Sequence, residues 1–173
     1  MIKVLCSIST RGRYHTTLPL ALMSVINQDR LPDKVVVFDD NQEPIDVRSI
    51  QVYQYIFMMM DLKKIQWEWV FSEKRGQHFN HDKANKKAVR EGFSWVWRMD
   101  DDTVAEPDVL STLLSYVSEE IGAVGGSILT PPLSQEFYSV TGKIKDVFFE
   151  PNVQWGYIKA AQEVDHLHCS FIS

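Results

Sequence analysis

The 173-residue chain is poor in cysteine, has no long apolar run and carries no excess of positive charge. Each shortage removes a class of protein. Two cysteines, Cys6 in the first apolar run and Cys169 near the end, make no disulfide framework. They fit a reducing compartment and a packing role. No window approaches the roughly 18 apolar residues of a membrane span, so no such span is expected. The apolar stretch from Val4 to Ile8 is too short for a signal peptide. The expectation is a soluble, cytoplasmic chain, with an anchor outside it left open. A net charge of -5 argues against a nucleic-acid partner or an anionic membrane surface, so any anionic ligand must be met by local cations. No internal repeat or low-complexity segment occurs.

What is present is ordinary globular material, 45% hydrophobic and 24% charged, enough for one domain with a core. Lys3 to Ser9 reads as a buried strand, followed by the polar loop Thr10 to Thr16. Thr17 as N-cap, Pro19 in the first turn and the stripe Leu18, Leu22, Val25 and Ile26 predict a helix up to Gln28. After Pro32 a second strand, Lys34 to Phe38, runs into Asp39, Asp40 and Asn41. Ile50, Tyr53, Ile56, Phe57 and Met60 predict a helix between Ile45 and about Lys64. Alternation over Gln66 to Ser72 predicts a strand whose better-covered face carries Trp67, Trp69 and Phe71. That face is either core or a stacking platform.

A polar loop, Glu73 to His81, then leads to a helix from about Asp82 through Glu91, with Gly92 as its C-cap. Arg75, Lys83, Asn85, Lys86 and Lys87 cluster here, as an anion-facing edge or as a solvated helix face. His78 and His81 have the spacing of metal ligands but no Cys or further His beside them. Trp95 to Met99 is the next strand, and Glu106-Pro107-Asp108 opens a helix with the stripe Val109, Leu110, Leu113, Leu114 and Val117. Ile121 to Ile128 reads as another strand, and the rest as short strands and loops over Phe137 to Glu150, Val153 to Lys159 and Glu163 to Ile172. The strand and helix alternation predicts an α/β fold, an open, mostly parallel twisted sheet with helices on both faces. Ligands of such sheets bind at the carboxyl ends of the strands.

Two acidic groups fall at those ends. Asp100-Asp101-Asp102 is the more demanding, because three adjacent like charges are tolerable only in open water or beside a cation. The triplet is therefore a solvated turn or part of a divalent metal site.

Taken in order, Thr10-Arg11, Asp39-Asp40-Asn41, Gly76 with Asn85, and Met99-Asp100-Asp101-Asp102-Thr103 before Glu106-Pro107-Asp108-Val109-Leu110 resemble the inverting GT-A glycosyltransferases of family 2. The resemblance covers about the first 130 residues well and the tail loosely. It implies a single Rossmann-like GT-A domain over 1–173, with 1–105 binding the nucleotide sugar and 106–173 beginning an acceptor-side part. It implies a UDP- or GDP-linked sugar donor and a glycan, lipid or protein acceptor.

By the same resemblance Asp40 pairs with the base, and Thr10 and Arg11 lie near base and ribose. Arg75 and Asn85 follow the nucleotide's edge. Asp100 holds the ribose or a metal-bound water, Asp102 ligates Mn2+ or Mg2+, and Asp101 takes a free middle position. Hard cations of this kind use one or two carboxylates plus substrate phosphates. Lys83-Ala84-Asn85 lacks the Arg that the family often has there. The catalytic base is expected beyond Ser173, in a chain that reads as a fragment of a longer one, since Asp165, His166 and His168 are poor stand-ins. The alternatives are a nucleotidyltransferase, which would want a glycine-rich loop after the first strand, and a catalytically inactive nucleotide-binding module.

Overall fold

The computed structural model describes residues 2–72, 76–126 and 171–172. All of these except Gly126 belong to one compact unit. Its sheet is formed by β1 (Val4–Thr10), β2 (Lys34–Asp39), β3 (Gln66–Phe71), β4 (Trp95–Asp100), β5 (Val124–Gly125) and β6 (Phe171–Ile172), in the order β3-β2-β1-β4-β6-β5. The first four strands are mutually parallel, while β6 runs antiparallel to both β4 and β5. The helices are α1 (Leu18–Ile26), α2 (Gln51–Leu62), α3 (Gln77–Glu91) and α4 (Val109–Ser115). A mostly parallel α/β sheet is therefore what the alternation of elements predicted.

Successive residues of a strand point to opposite faces, and the two faces have different covers. Val4, Cys6, Ile8, Val35, Val37, Trp97 and Met99 pack against apolar residues of α1, α2 and α4. Leu5, Val36, Phe38 and Val96 pack against Ala84 and Ala88 of α3, whose small side chains let that helix lie close to the sheet. The continuous apolar reading of β1 and β2 follows from burial on both faces. Cys6 is fully buried, and burial pushes its thiol pKa up. Cys169 lies outside the described residues.

Several boundaries differ from expectation. The segment before α2 breaks into a single 3-10 turn, Val47–Ser49, because the Asp46 side chain accepts from the Arg48 backbone N–H at 3.1 Å. Thr17 stands at the N-cap of α1 but makes no capping hydrogen bond. Phe71 is 58% exposed, whereas Trp67 and Trp69 do pack on the core.

The largest difference is α3, which starts at Gln77, not near Asp82. Gly76 turns the chain at φ 87°, a conformation that suits glycine. Asn80, fully buried, then pins the first turn: its amide nitrogen donates to Ser9 Oγ at 2.8 Å and its oxygen accepts from Ser72 Oγ at 2.7 Å. A run that reads as a loop is thus a helix held by polar bonds. Gly92 closes α3 in the left-handed conformation expected of it. Of the expected strand Ile121 to Ile128, Val124–Gly125 is the paired part among the described residues. The segments Phe137 to Glu150 and Val153 to Lys159 lie outside them. No helix among the described residues is long and apolar enough to cross a membrane.

Candidate functional site

Parallel pairing brings the carboxyl ends of β1, β2 and β4 to one side of the sheet, with Thr10 beside Asp39 and Ser9 beside Asp100 in register. They border a cleft of about 400 Å3 lined by Ser9, Thr10, Arg11, Arg13, Asp40, Gly76, Gln77, Asp100, Asp101 and Asp102. The first turn of α3 forms one wall, so the positive end of a helix dipole lies at the cleft.

The acidic triplet is not left to water. Asp100 accepts from the Gln77 side-chain amide at 2.9 Å. Asp101 accepts from Thr10 Oγ1 at 2.7 Å and from the Arg11 backbone N–H at 3.3 Å. Asp102 pairs with the Arg13 guanidinium at 3.2 Å, both side chains being nearly half exposed. Three carboxylates adjacent in sequence thus point to three different partners, which relieves their repulsion. The middle carboxylate, Asp101, for which a free position was expected, instead clasps the end of β4 to the end of β1. Downstream, Gln28 fixes the segment by donating to the Glu106 carbonyl at 2.7 Å and accepting from the Leu110 N–H at 2.9 Å.

Asp40, 3% exposed, takes the Gly76 N–H on one oxygen at 3.0 Å. Its other oxygen is buried and has no donor among the described residues. An unsatisfied buried carboxylate oxygen is costly, and on a cleft wall it calls for a ligand N–H. Behind it, Asp39 is fully engaged. It accepts from Trp69 Nε1 at 3.0 Å, from the Asn41 side chain at 2.7 Å, from the Asn41 backbone at 3.0 Å, and from the Tyr14 hydroxyl. Asn41 in turn accepts from the Gly12 N–H. Burial first, and the Asp39 carboxylate second, push the Tyr14 phenol pKa up, so it stays a donor. The loop between β1 and α1 is therefore moored to the end of β2 at two points.

Of the residues singled out in the sequence, Thr10, Arg11, Asp40, Asp100, Asp101 and Asp102 line this one cleft. Asn85 does not. It lies eight residues into α3, about 12 Å along the axis at 1.5 Å per residue, and accepts from Arg98 Nη2 at 3.0 Å. Arg75 lies outside the described residues, as do Asp165, His166 and His168. His78 and His81 form an edge-to-face ring pair on α3. Burial, with Arg98 and His78 adding positive charge, lowers the His81 pKa.

Sequence reasoning missed Arg13 and Gln77. Their signal is weak, because each is recognisable only by a carboxylate far away in the chain. Among the described residues no group of three or more His, Cys, Asp or Glu side chains is gathered to cage a metal. The oxygen donors at the cleft do suit a hard cation that takes one or two carboxylates and completes its shell from a ligand's phosphates.

A strand-end cleft with a buried, half-satisfied carboxylate and an acidic triplet, on a mostly parallel sheet with helices on both faces, defines an α/β domain of the GT-A kind. The family model for glycosyl transferase family 2 matches residues 8–169, and the chain belongs to that family. Among curated proteins, the galactofuranosyltransferase GlfT1 of Mycolicibacterium smegmatis is 30% identical over 115 residues, covering 65% of this chain. The chain spans 35% of that relative's length. Among solved structures, S. aureus TarS superimposes with a TM-score of 0.52 at 18% identity, over 77% of this chain and 24% of TarS. The 1–349 form of TarS in complex with UDP gives 0.51 at 18% identity, over 76% of this chain and 38% of that one. These two likenesses speak for the fold.

Proposed function

We propose that this chain is the donor-binding part of a glycosyltransferase that moves a sugar from a nucleotide sugar to an acceptor hydroxyl with inversion. One observation carries the reading: the half-satisfied Asp40 carboxylate and the acidic triplet share one strand-end cleft with two arginines. In this reading Asp40 takes an N–H of the base, and Thr10 and Arg11 flank the nucleoside. A UDP- or GDP-linked donor fits, since uracil and guanine each offer a ring N–H. The solved UDP complex of TarS, a structure of like fold, supports the first.

Asp102, with Asp100, would hold Mn2+ or Mg2+, which when bound neutralises the departing nucleoside diphosphate. The chain's own part is positioning and leaving-group stabilisation. Asp40 fixes the base, the Asp101 clasp fixes the loop at Arg11, and the arginines offset phosphate charge. Residues 1–105 are the nucleotide-sugar part on this view.

The test is calorimetric titration of UDP and GDP with and without Mn2+, on the wild type and on Asp102→Ala. Metal-dependent binding that falls about ten-fold or more in the variant is expected, the order of a lost charge-assisted contact. Binding indifferent to both metal and substitution would remove the metal assignment.

A further inference from the structure

The Arg13–Asp102 pair raises a question that the donor reading leaves open. A guanidinium stands on the carboxylate that a divalent cation would need, at 3.2 Å. Such a pair between half-exposed groups is weak and easily exchanged. The backbone around Arg13, by contrast, is fixed. Gly12 N–H is held by Asn41, the Tyr14 hydroxyl by Asp39, and the Tyr14 carbonyl accepts from Tyr53 Oη–H at 2.8 Å. The Arg13 carbonyl itself accepts from the Thr16 and Leu18 N–H groups at 3.2 and 3.4 Å. A rigid base with a long, exposed arm is what an exchangeable ligand requires.

Charge decides where the arm goes. The described cleft carries Arg11 and Arg13 against Asp40, Asp100, Asp101 and Asp102, so it is acidic before any anion enters. A diphosphate is admitted only if cations accompany it. Once a divalent ion takes Asp102, the guanidinium loses its partner, and the incoming phosphate oxygens are the strongest anion within reach. Planar bidentate recognition of phosphate is what Arg does best.

We propose that Arg13 is an exchangeable cation, which holds Asp102 while the donor is absent and transfers to the donor's diphosphate when a divalent cation takes Asp102. This rests on the donor reading above. It makes metal and diphosphate binding cooperative, because each removes the other's obstacle. It also keeps the three carboxylates from drawing in a bare metal ion tightly.

The signature is a pair of effects of opposite sign, which a merely structural role for Arg13 would not give. Wild type, Arg13→Gln and Arg13→Lys are titrated with Mn2+ alone, with UDP and GDP in the presence of Mn2+, and with uridine and guanosine. Arg13→Gln is expected to bind Mn2+ alone about two- to five-fold more tightly, the worth of an exposed ion pair removed. The same variant is expected to bind the diphosphate roughly ten-fold more weakly, the worth of one charge-assisted contact, with nucleoside binding unchanged. Arg13→Lys, which keeps the charge and loses the fork, should fall between. Thermal melting checks that the fold is intact, as expected for a pair nearly half in water.

If the wild type binds neither Mn2+ nor a nucleoside diphosphate, the donor reading falls and this inference with it. If the wild type binds both, but Arg13→Gln moves the two affinities in the same direction or leaves either unchanged, the exchange alone is overturned.

Discussion

Asp40 shows what a single residue can and cannot reveal from sequence. Its place at the end of an apolar strand was readable, because a carboxylate there has either water or a ligand to meet. Which oxygen is spoken for was not readable, since the Gly76 N–H arrives from a different part of the chain. The same holds for Asp101, whose partners are Thr10, the last residue of β1, and Arg11, which follows it. An isosteric test follows. Asp40→Asn can keep an oxygen for Gly76 N–H, which turns an amide N–H2 toward the base and replaces an acceptor with a donor. Nucleotides whose base offers a ring N–H there should bind at least roughly ten-fold more weakly, the cost of facing two donors in a buried site. CDP, whose ring nitrogen at that position is an acceptor, should gain relative to UDP. Competition titrations of UDP against CDP read the ratio directly. An unchanged ratio would mean that Asp40 does not face the base.

Among the elements, α3 was the least legible, and the reason is physical. Its amino-terminal turns are polar, and the periodicity that marks a helix by its apolar face begins only with Ala84. What holds the helix is Asn80 at one end and an ionic ring at the other. Lys34 of β2 and Lys87 of α3 each contact both Glu68 of β3 and Glu91 of α3, at 2.7 to 2.9 Å. Hydrogen bonds from Lys87 first and Lys34 second hold the Glu91 carboxyl well below its usual 4.5, at about 2. For Glu68, burial acts upward, but the same two lysines outweigh it and the pKa falls.

A carboxylate depressed in the folded state stabilises above its unfolded pKa and ceases to do so as pH falls through its folded one. The Glu91 side chain is 28% exposed, so after solvent screening its contribution is on the order of 1–2 kcal/mol. Glu91→Gln should therefore unfold at lower urea than wild type near neutrality. The gap should close progressively between pH 4.5 and about 2. A gap independent of pH would show that the ring contributes by packing alone.

At the scale of the molecule, alternation of elements made the parallel sheet readable, but not the strand order. Order depends on which edges pair, and nothing local in Phe171–Ile172 says that it enters between β4 and β5. The site is a consequence of that order. Its walls come from the ends of β1, β2 and β4 and the start of α3, four segments far apart in the chain. A ligand that bridges them must stabilise the whole unit while ordering only its upper rim. Binding to the folded state alone adds about 2.7 kcal/mol at a hundred-fold excess over Kd, and a domain of this size gains about 2–4 °C per kcal/mol. UDP or GDP with Mn2+ should thus raise the melting temperature by roughly 5–10 °C at that excess.

Hydrogen exchange should locate the cause. Protection is expected to rise in the loop from Arg11 to Tyr14, at Asp40 and Asn41, at Gly76 to Asn80 and at Asp100 to Thr103. Amides in the middle of α2, which packs on the sheet away from the cleft, should gain only what global stabilisation gives them. A melting shift accompanied by even protection across the chain, with none of the four rim segments leading, would mean that the nucleotide binds elsewhere.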